Sequence, residues 1–84
     1  PEKWIHILLI ALEDEDPDIR LEVCEILKML KDNVAYVEVI NRLLMVLSDE
    51  DLQVRLAAFR AIAEIDLRAV TMDTIAKLIE IFKT

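Results

Sequence analysis

The fold is decided by two stretches of sequence, LEDEDPDIRLEVCEIL at 12–27 and LSDEDLQVRLAAFRAI at 47–62. The second stretch repeats the first after 35 residues, so that Asp14 falls on Asp49 and Arg20 falls on Arg55. In both, a short acidic run is followed by apolar residues at helical spacing. Self-similarity at a period of roughly 20–50 residues is the signature of a repeat protein. We therefore divide the chain into repeating units before assigning its secondary structure.

Each unit contains two helical patterns, which we label A and B. The A pattern has apolar residues at the spacing of one helix face, and it recurs a third time near the end of the chain. Its members are Ile5, Leu8, Leu9 and Leu12; Ile40, Leu43, Leu44 and Leu47; and Ile75, Leu78, Ile79 and Phe82. The B pattern comprises Ile19, Val23, Ile26, Leu27 and Leu30, and then Val54, Ala58, Ala61, Ile62 and Ile65. We expect both sets to form the core.

These patterns predict an all-α fold of five helices in the order A–B, A–B, A. The predicted ranges are about 2–13, 17–31, 36–48, 52–66 and 71–83. Asp16, Asp51 and Thr71 are the expected N-caps, with Pro17 at a first helical position. We expect one domain, with a first repeat at about 1–35, a second at about 36–70 and a half repeat at 71–84.

The composition agrees with short connections between helices. The chain has 84 residues, of which 56% are hydrophobic, and it contains no Gly and only two Pro. Sheets joined by tight hairpins usually need Gly or an Asn-Gly pair at positive φ. The composition therefore favours helix-to-helix turns over a sheet.

Charge and cysteine content limit the partners and the compartment. A net charge of -7 disfavours nucleic acid and anionic membrane surfaces, which bind proteins mainly through basic side chains. Cys24 is the single cysteine, so no internal disulfide is possible and a reducing, cytoplasmic location is expected. The apolar run from Trp4 to Leu12 is too short to span a bilayer.

The turn and the start of helix B carry a resemblance to a known family. Leu12, Asp14, Pro17, Ile19, Arg20, Val23 and Leu27, with Leu47, Asp49, Val54, Arg55, Ala58 and Ile62, resemble the HEAT-repeat pattern. The second unit departs from it by having Leu52 where the family favours Pro. The resemblance implies a right-handed α-α superhelix. It also implies a structural ladder in which Asp14, Arg20, Asp49 and Arg55 pair within and between units.

No group of residues has the spacing of a catalytic or metal site. His6 has no second histidine or cysteine at ligand spacing. Iron-holding enzymes of the HEAT type carry repeated His-Glu pairs, and this chain has no His-Glu step. Cys24 lies in the middle of a predicted helix without a base beside it, and its counterpart is Phe59. We therefore expect no catalytic residue, no metal, no cofactor and no small-molecule substrate.

Two surfaces are candidates for binding a protein. Helix one is apolar on all sides, with Trp4, Ile7 and Ile10 outside its core face, whereas the counterparts of Ile7 in the later units are Arg42 and Lys77. We expect helix one to pack against a preceding repeat or a second chain. The second surface is the inner face of the B helices, represented by Glu25, Lys28, Arg60 and Glu64.

We interpret the chain as a non-catalytic protein–protein interaction module or scaffold. The partner is another protein, or a second copy of the chain contacted through helix one. An alternative remains at this point, namely a fragment or accessory subunit of a HEAT-like lyase or hydroxylase whose catalytic residues lie elsewhere. The chain begins at Pro1 without Met, which is compatible with a processed chain or with a piece of a longer array.

Overall fold

The described part of the chain is helical throughout. The computed structural model describes residues 2–30 and 36–83. In chain order these residues form α1 (Glu2–Ala11), α2 (Pro17–Met29), α3 (Tyr36–Val46), α4 (Leu52–Ile65) and α5 (Met72–Lys83), with a 3-10 turn at Leu67–Ala69 before α5. No strand occurs within these ranges. The all-α architecture with the order A–B, A–B, A is confirmed; the handedness and the boundaries of the repeats stay predictions.

The helices begin where the predicted caps place them. Asp16 accepts a hydrogen bond from the backbone N–H of Asp18 at 2.9 Å, and Pro17 follows at the first helical position. Asp51 accepts from the N–H of Val54 at 3.1 Å, and Thr71 Oγ1 accepts from the N–H of Thr74 at 3.3 Å. Each cap satisfies a backbone donor that has no partner inside its helix.

The A helices end earlier than the sequence predicted. α1 and α3 end at Ala11 and Val46, two residues before the expected 13 and 48. At these ends the backbone forms hydrogen bonds between residues three apart, from Glu13 N to Ile10 O at 3.0 Å and from Ser48 N to Met45 O at 3.1 Å. These tighter turns occupy the last helical carbonyls and direct the chain into the acidic turn.

The second B helix, α4, packs against α2 and α3, the two helices directly before it in the chain. α4 contacts α2 on one side and α3 on another, and α5 contacts α4 at the other end of the array. The face of α4 that meets its neighbours carries small residues, Ala57, Ala58 and Ala61, all of them buried. Small side chains allow neighbouring helices to approach closely, so this face fixes the spacing between the two B helices.

The core contains most of the predicted positions, and four predictions were wrong. Ile19 and Ile26 in α2 and Ile75 and Ile79 in α5 are exposed rather than buried. Among the residues that the structure describes, no helix covers either pair, and all four side chains stay exposed. Phe82, also predicted for the core, has a side chain outside the described residues. Across 2–30 and 36–83, no helix is long and apolar enough to cross a membrane.

Candidate functional site

A buried ion pair joins the first unit to the second. The Nε of Arg20 donates to Oδ2 of Asp49 at 2.7 Å, and its Nη2 donates to Oδ1 at 3.0 Å. Both side chains are about nine-tenths buried, with 8% and 11% of their surface exposed. Because the guanidinium is planar and its donors are fixed, this two-point contact sets orientation as well as distance. The hydrogen bond to Asp49 raises the pKa of Arg20.

The same arginine also holds the turn of its own unit. Its Nη1 donates to the backbone oxygens of Asp14 at 2.7 Å and Glu15 at 3.1 Å. The carboxylate of Asp14 does not reach Arg20; it accepts from the N–H of Asp16 at 2.9 Å. Within a unit, Arg20 therefore contacts the backbone of the acidic turn, and only between units does it contact a carboxylate.

Arg55 repeats half of this arrangement. Its Nη1 donates to the backbone oxygens of Asp49 at 2.7 Å and Glu50 at 3.3 Å, as Arg20 does in the first unit. Its Nε is buried and has no hydrogen-bond partner within the described part of the chain. The residue 35 positions after Asp49 is Thr84, whose side chain carries no carboxylate and lies outside the described residues.

A second link between units joins the A helices, and the sequence analysis missed it. Arg42 Nη2 donates to the backbone oxygen of Leu9 at 2.9 Å and to Glu13 Oε2 at 2.8 Å. Its counterpart Lys77 donates to Ser48 Oγ at 3.2 Å. Both contacts join residues 29 apart, so a search for polar pairs at this constant separation would have found them.

Ile7 is unusual because it is apolar at a position where the later units have a cation. Ile7 is the counterpart of Arg42, which contacts Leu9 of α1, and of Lys77, which contacts Ser48 in the turn after α3. Ile7 is 66% exposed. Trp4 shows the same pattern, because its counterparts Val39 and Thr74 are buried while Trp4 is only half-buried.

The first B helix presents matching apolar residues on the same side. Ile19 and Ile26 are exposed, whereas their counterparts Val54 and Ala61 are fully buried in α4. α4 packs on α2, and within 2–30 and 36–83 no helix covers Ile19 and Ile26, which accounts for the difference in exposure. We call the set formed by Trp4, Ile7, Ile19 and Ile26 the upstream flank. Sequence reasoning had assigned the first two to a surface and the last two to the core.

The remaining predicted binding residues lie on helix surfaces. Glu25 and Lys28 form an ion pair of 3.0 Å on α2, and Arg60 and Glu64 are exposed on the neighbouring α4. Ile10 is 71% exposed, as is its counterpart Met45 in α3. The exposure of Ile10 is therefore ordinary for its place in the repeat, whereas that of Ile7 depends on being in the first unit.

Neither candidate for chemistry has a suitable environment. Burial, with a smaller effect of the nearby Asp49, raises the pKa of the Cys24 thiol to about 12, which keeps it protonated and unreactive at neutral pH. His6 is exposed and lies 4.0 Å from Glu38. Within the ranges 2–30 and 36–83, no group of three His, Cys, Asp or Glu side chains is placed to hold a metal ion.

The stacked A and B helices and the links between them define an α-α repeat protein. The sequence pattern of HEAT repeats matches residues 5–84, and the chain belongs to that family. HEAT repeats generally serve as protein-interaction scaffolds. Comparison with curated proteins and with solved structures gave no match in either case.

Proposed function

We propose that this chain is a non-catalytic protein-interaction module that binds another protein through the upstream flank, and that a second copy occupies the flank in the purified chain. The observation that carries the proposal is the exposure of Ile7 at a position where α3 and α5 have a cation. An apolar side chain at that position gains from contact with another apolar surface and gains nothing from water.

The counterpart contacts indicate how the flank would be used. In the second unit, Arg42, the counterpart of Ile7, contacts Leu9 and Glu13 of the first unit, and the counterparts of the other three flank residues, Val39, Val54 and Ala61, are buried. The flank thus has the composition of a packed interface between units. Apolar residues at an interface core, surrounded by polar groups, are typical of protein-binding surfaces.

The surroundings of the flank also favour a protein. The acidic turn lies at the end of α1, and the chain as a whole carries a net charge of -7. A polyanion would be repelled by this charge, whereas an apolar protein surface with basic groups at its edge would be attracted. Ile10, Glu25, Lys28, Arg60 and Glu64 are proposed as secondary contacts. We also propose a cytoplasmic location, on the basis of the single, buried Cys24.

The experiment is a measurement of mass by light scattering over a concentration series. The purified chain is compared with Ile7→Lys, which places a charge in the upstream flank. Met45→Lys is the matched control, because Met45 is 71% exposed, close to the 66% of Ile7, and lies outside the flank. We expect the parent and the control to gain mass with concentration and Ile7→Lys to remain a monomer. Equal behaviour of all three chains would contradict the proposal.

A further inference from the structure

Ser48 is the only serine in the chain, and it stands at the position that Glu13 occupies one unit earlier. The acidic turn of the first unit reads EDED at 13–16, and that of the second unit reads SDED at 48–51. The two turns therefore differ at one position, where the first unit has a carboxylate and the second has a hydroxyl.

A cation faces this position in both units. Arg42 Nη2 donates to Glu13 Oε2 at 2.8 Å, and Lys77 Nζ donates to Ser48 Oγ at 3.2 Å. Because Lys77 is the counterpart of Arg42, the two contacts are the same link in successive units. In the first unit the acceptor is charged, and in the second it is a neutral oxygen, which gives a weaker hydrogen bond.

The hydroxyl of Ser48 is accessible from solvent. The residue is exposed in the turn after α3, and it lines an open cavity of about 450 Å³. The charged groups around this cavity are Arg20, Arg42, Glu13, Asp14, Asp49 and Glu50. A group added to Ser48 therefore has room, and the cation that it contacts directly is Lys77.

We propose that Ser48 is a phosphorylation site for a serine kinase that selects acidic residues directly after its target. In the reaction, Ser48 Oγ bonds to the γ-phosphorus of ATP and the bond from that phosphorus to the β,γ-bridging oxygen breaks. ADP leaves, and the hydroxyl proton passes to the kinase. The run at 49–51 supplies the acidic residues, which such an enzyme binds through basic side chains. Among them, Glu50 has 89% of its side chain exposed.

The phosphate acts on the position of α5. It carries a charge of about -1.5 to -2 at pH 7 and three acceptor oxygens, so it pairs with Lys77 as Glu13 pairs with Arg42. The described contacts of α5 are mainly with α4, and an ion pair from the turn after α3 holds it at a second place. The acidic run does not prevent this, because the turn at 13–16 has four carboxylates and forms the same link. The proposal is independent of the upstream flank, which lies on α1 and α2.

The modification is tested on the folded chain with ATP and a purified serine kinase of acidic-site specificity. Mass spectrometry should show one added phosphoryl group, on the peptide that contains Ser48, and none in Ser48→Ala. Because the chain has a single serine, any phosphoserine identifies the site. Absence of the product, or its formation only in the urea-unfolded chain, would overturn the proposal.

The role of Lys77 is tested by a double-mutant cycle. Ser48→Glu places a carboxylate where the first unit has one, and Ser48→Gln is the neutral control of the same length. At low salt we expect Ser48→Glu to melt about 2–5 °C higher than Ser48→Gln, the size of effect that an exposed ion pair gives in a domain of this length. On the Lys77→Gln chain the two should melt at the same temperature.

The phosphorylated chain should show the same dependence on Lys77, with a higher melting temperature than the unmodified chain and no gain in Lys77→Gln. Equal melting temperatures for Ser48→Glu and Ser48→Gln in the presence of Lys77 would overturn the proposed effect on α5. A gain that persists in Lys77→Gln would overturn the assignment of Lys77 as the partner of the phosphate.

Discussion

The guanidinium of Arg20 and the carboxylate of Asp49 form a two-point contact, with hydrogen bonds of 2.7 and 3.0 Å, across the boundary between two repeats. The same guanidinium holds the backbone of its own acidic turn. One side chain thereby fixes the conformation of a turn and the position of the next unit. A change in this arginine should therefore affect the whole domain.

We expect Arg20→Met to lower the melting temperature by about 10 °C or more, because it removes every donor and leaves Asp49 without its cation. Arg60→Met is the matched control, since Arg60 is exposed on the equivalent helix; its change should stay within about 3 °C. Thermal unfolding followed by circular dichroism measures both. Equal shifts in the two variants would show that the buried contact has no special part in stability.

The link between the A helices should be weaker and more sensitive to salt. Glu13 is mostly exposed, so we expect Arg42→Gln to cost less than about 1 kcal/mol of unfolding free energy. Because exposed charges are screened, the cost should shrink in about 1 M salt, whereas that of Arg20→Met should persist. Denaturant unfolding at two salt concentrations makes the comparison. A cost for Arg42→Gln that is independent of salt would contradict this explanation.

The cap of α4 gives a local prediction. Asp51→Ala removes the acceptor for the N–H of Val54 and should cost about 1 kcal/mol. The control is Gln53→Ala, because Gln53 is exposed in the same turn and caps nothing; it should change stability by less than about 0.5 kcal/mol. Urea unfolding distinguishes the two. If Gln53→Ala lowers the free energy of unfolding as much as Asp51→Ala does, helix propensity rather than capping sets the stability of this turn.

The buried thiol predicts a pH dependence. The pKa of Cys24 is raised from its ordinary value of 9.0 to about 12, so the unfolded chain loses this proton first as the pH rises. The stabilisation of the folded state by the protonated Cys24 thiol is complete below pH 9. Between pH values of about 9 and 12 it falls by up to about 1.4 kcal/mol per pH unit. The slope of stability against pH should be shallower in Cys24→Ala. Identical slopes in the two chains would mean that Cys24 titrates normally when folded.

Local features of the fold could be predicted from the sequence because their causes lie within a few residues. The period of 35 residues, the caps at Asp16 and Asp51 and the helix order all follow from short-range patterns. The exposure of Ile19 and Ile75 could not be predicted in this way, since it depends on whether a neighbouring unit covers them. A periodic apolar pattern predicts burial in the same way whether or not a neighbouring repeat covers the residues.

Only part of the candidate sites could be predicted from the sequence, for a related reason. Ile7 stood out because it is apolar where Arg42 and Lys77 are charged. The unpaired Nε of Arg55 could not be read from the sequence, because Arg55 matches Arg20 perfectly and differs only in what it meets. The contact of Arg42 with Glu13 was not predicted, since it depends on how two A helices stack.

The most direct test of the proposed function uses Trp4, the single tryptophan of the chain, which lies in the upstream flank. Its emission should be recorded over the same concentration series as the scattering mass. We predict a blue shift that coincides with the gain in mass, because association removes water from the half-buried indole, and no shift for Ile7→Lys. A gain in mass with unchanged Trp4 emission, or no concentration dependence at all, would contradict the assignment of the upstream flank as the binding surface.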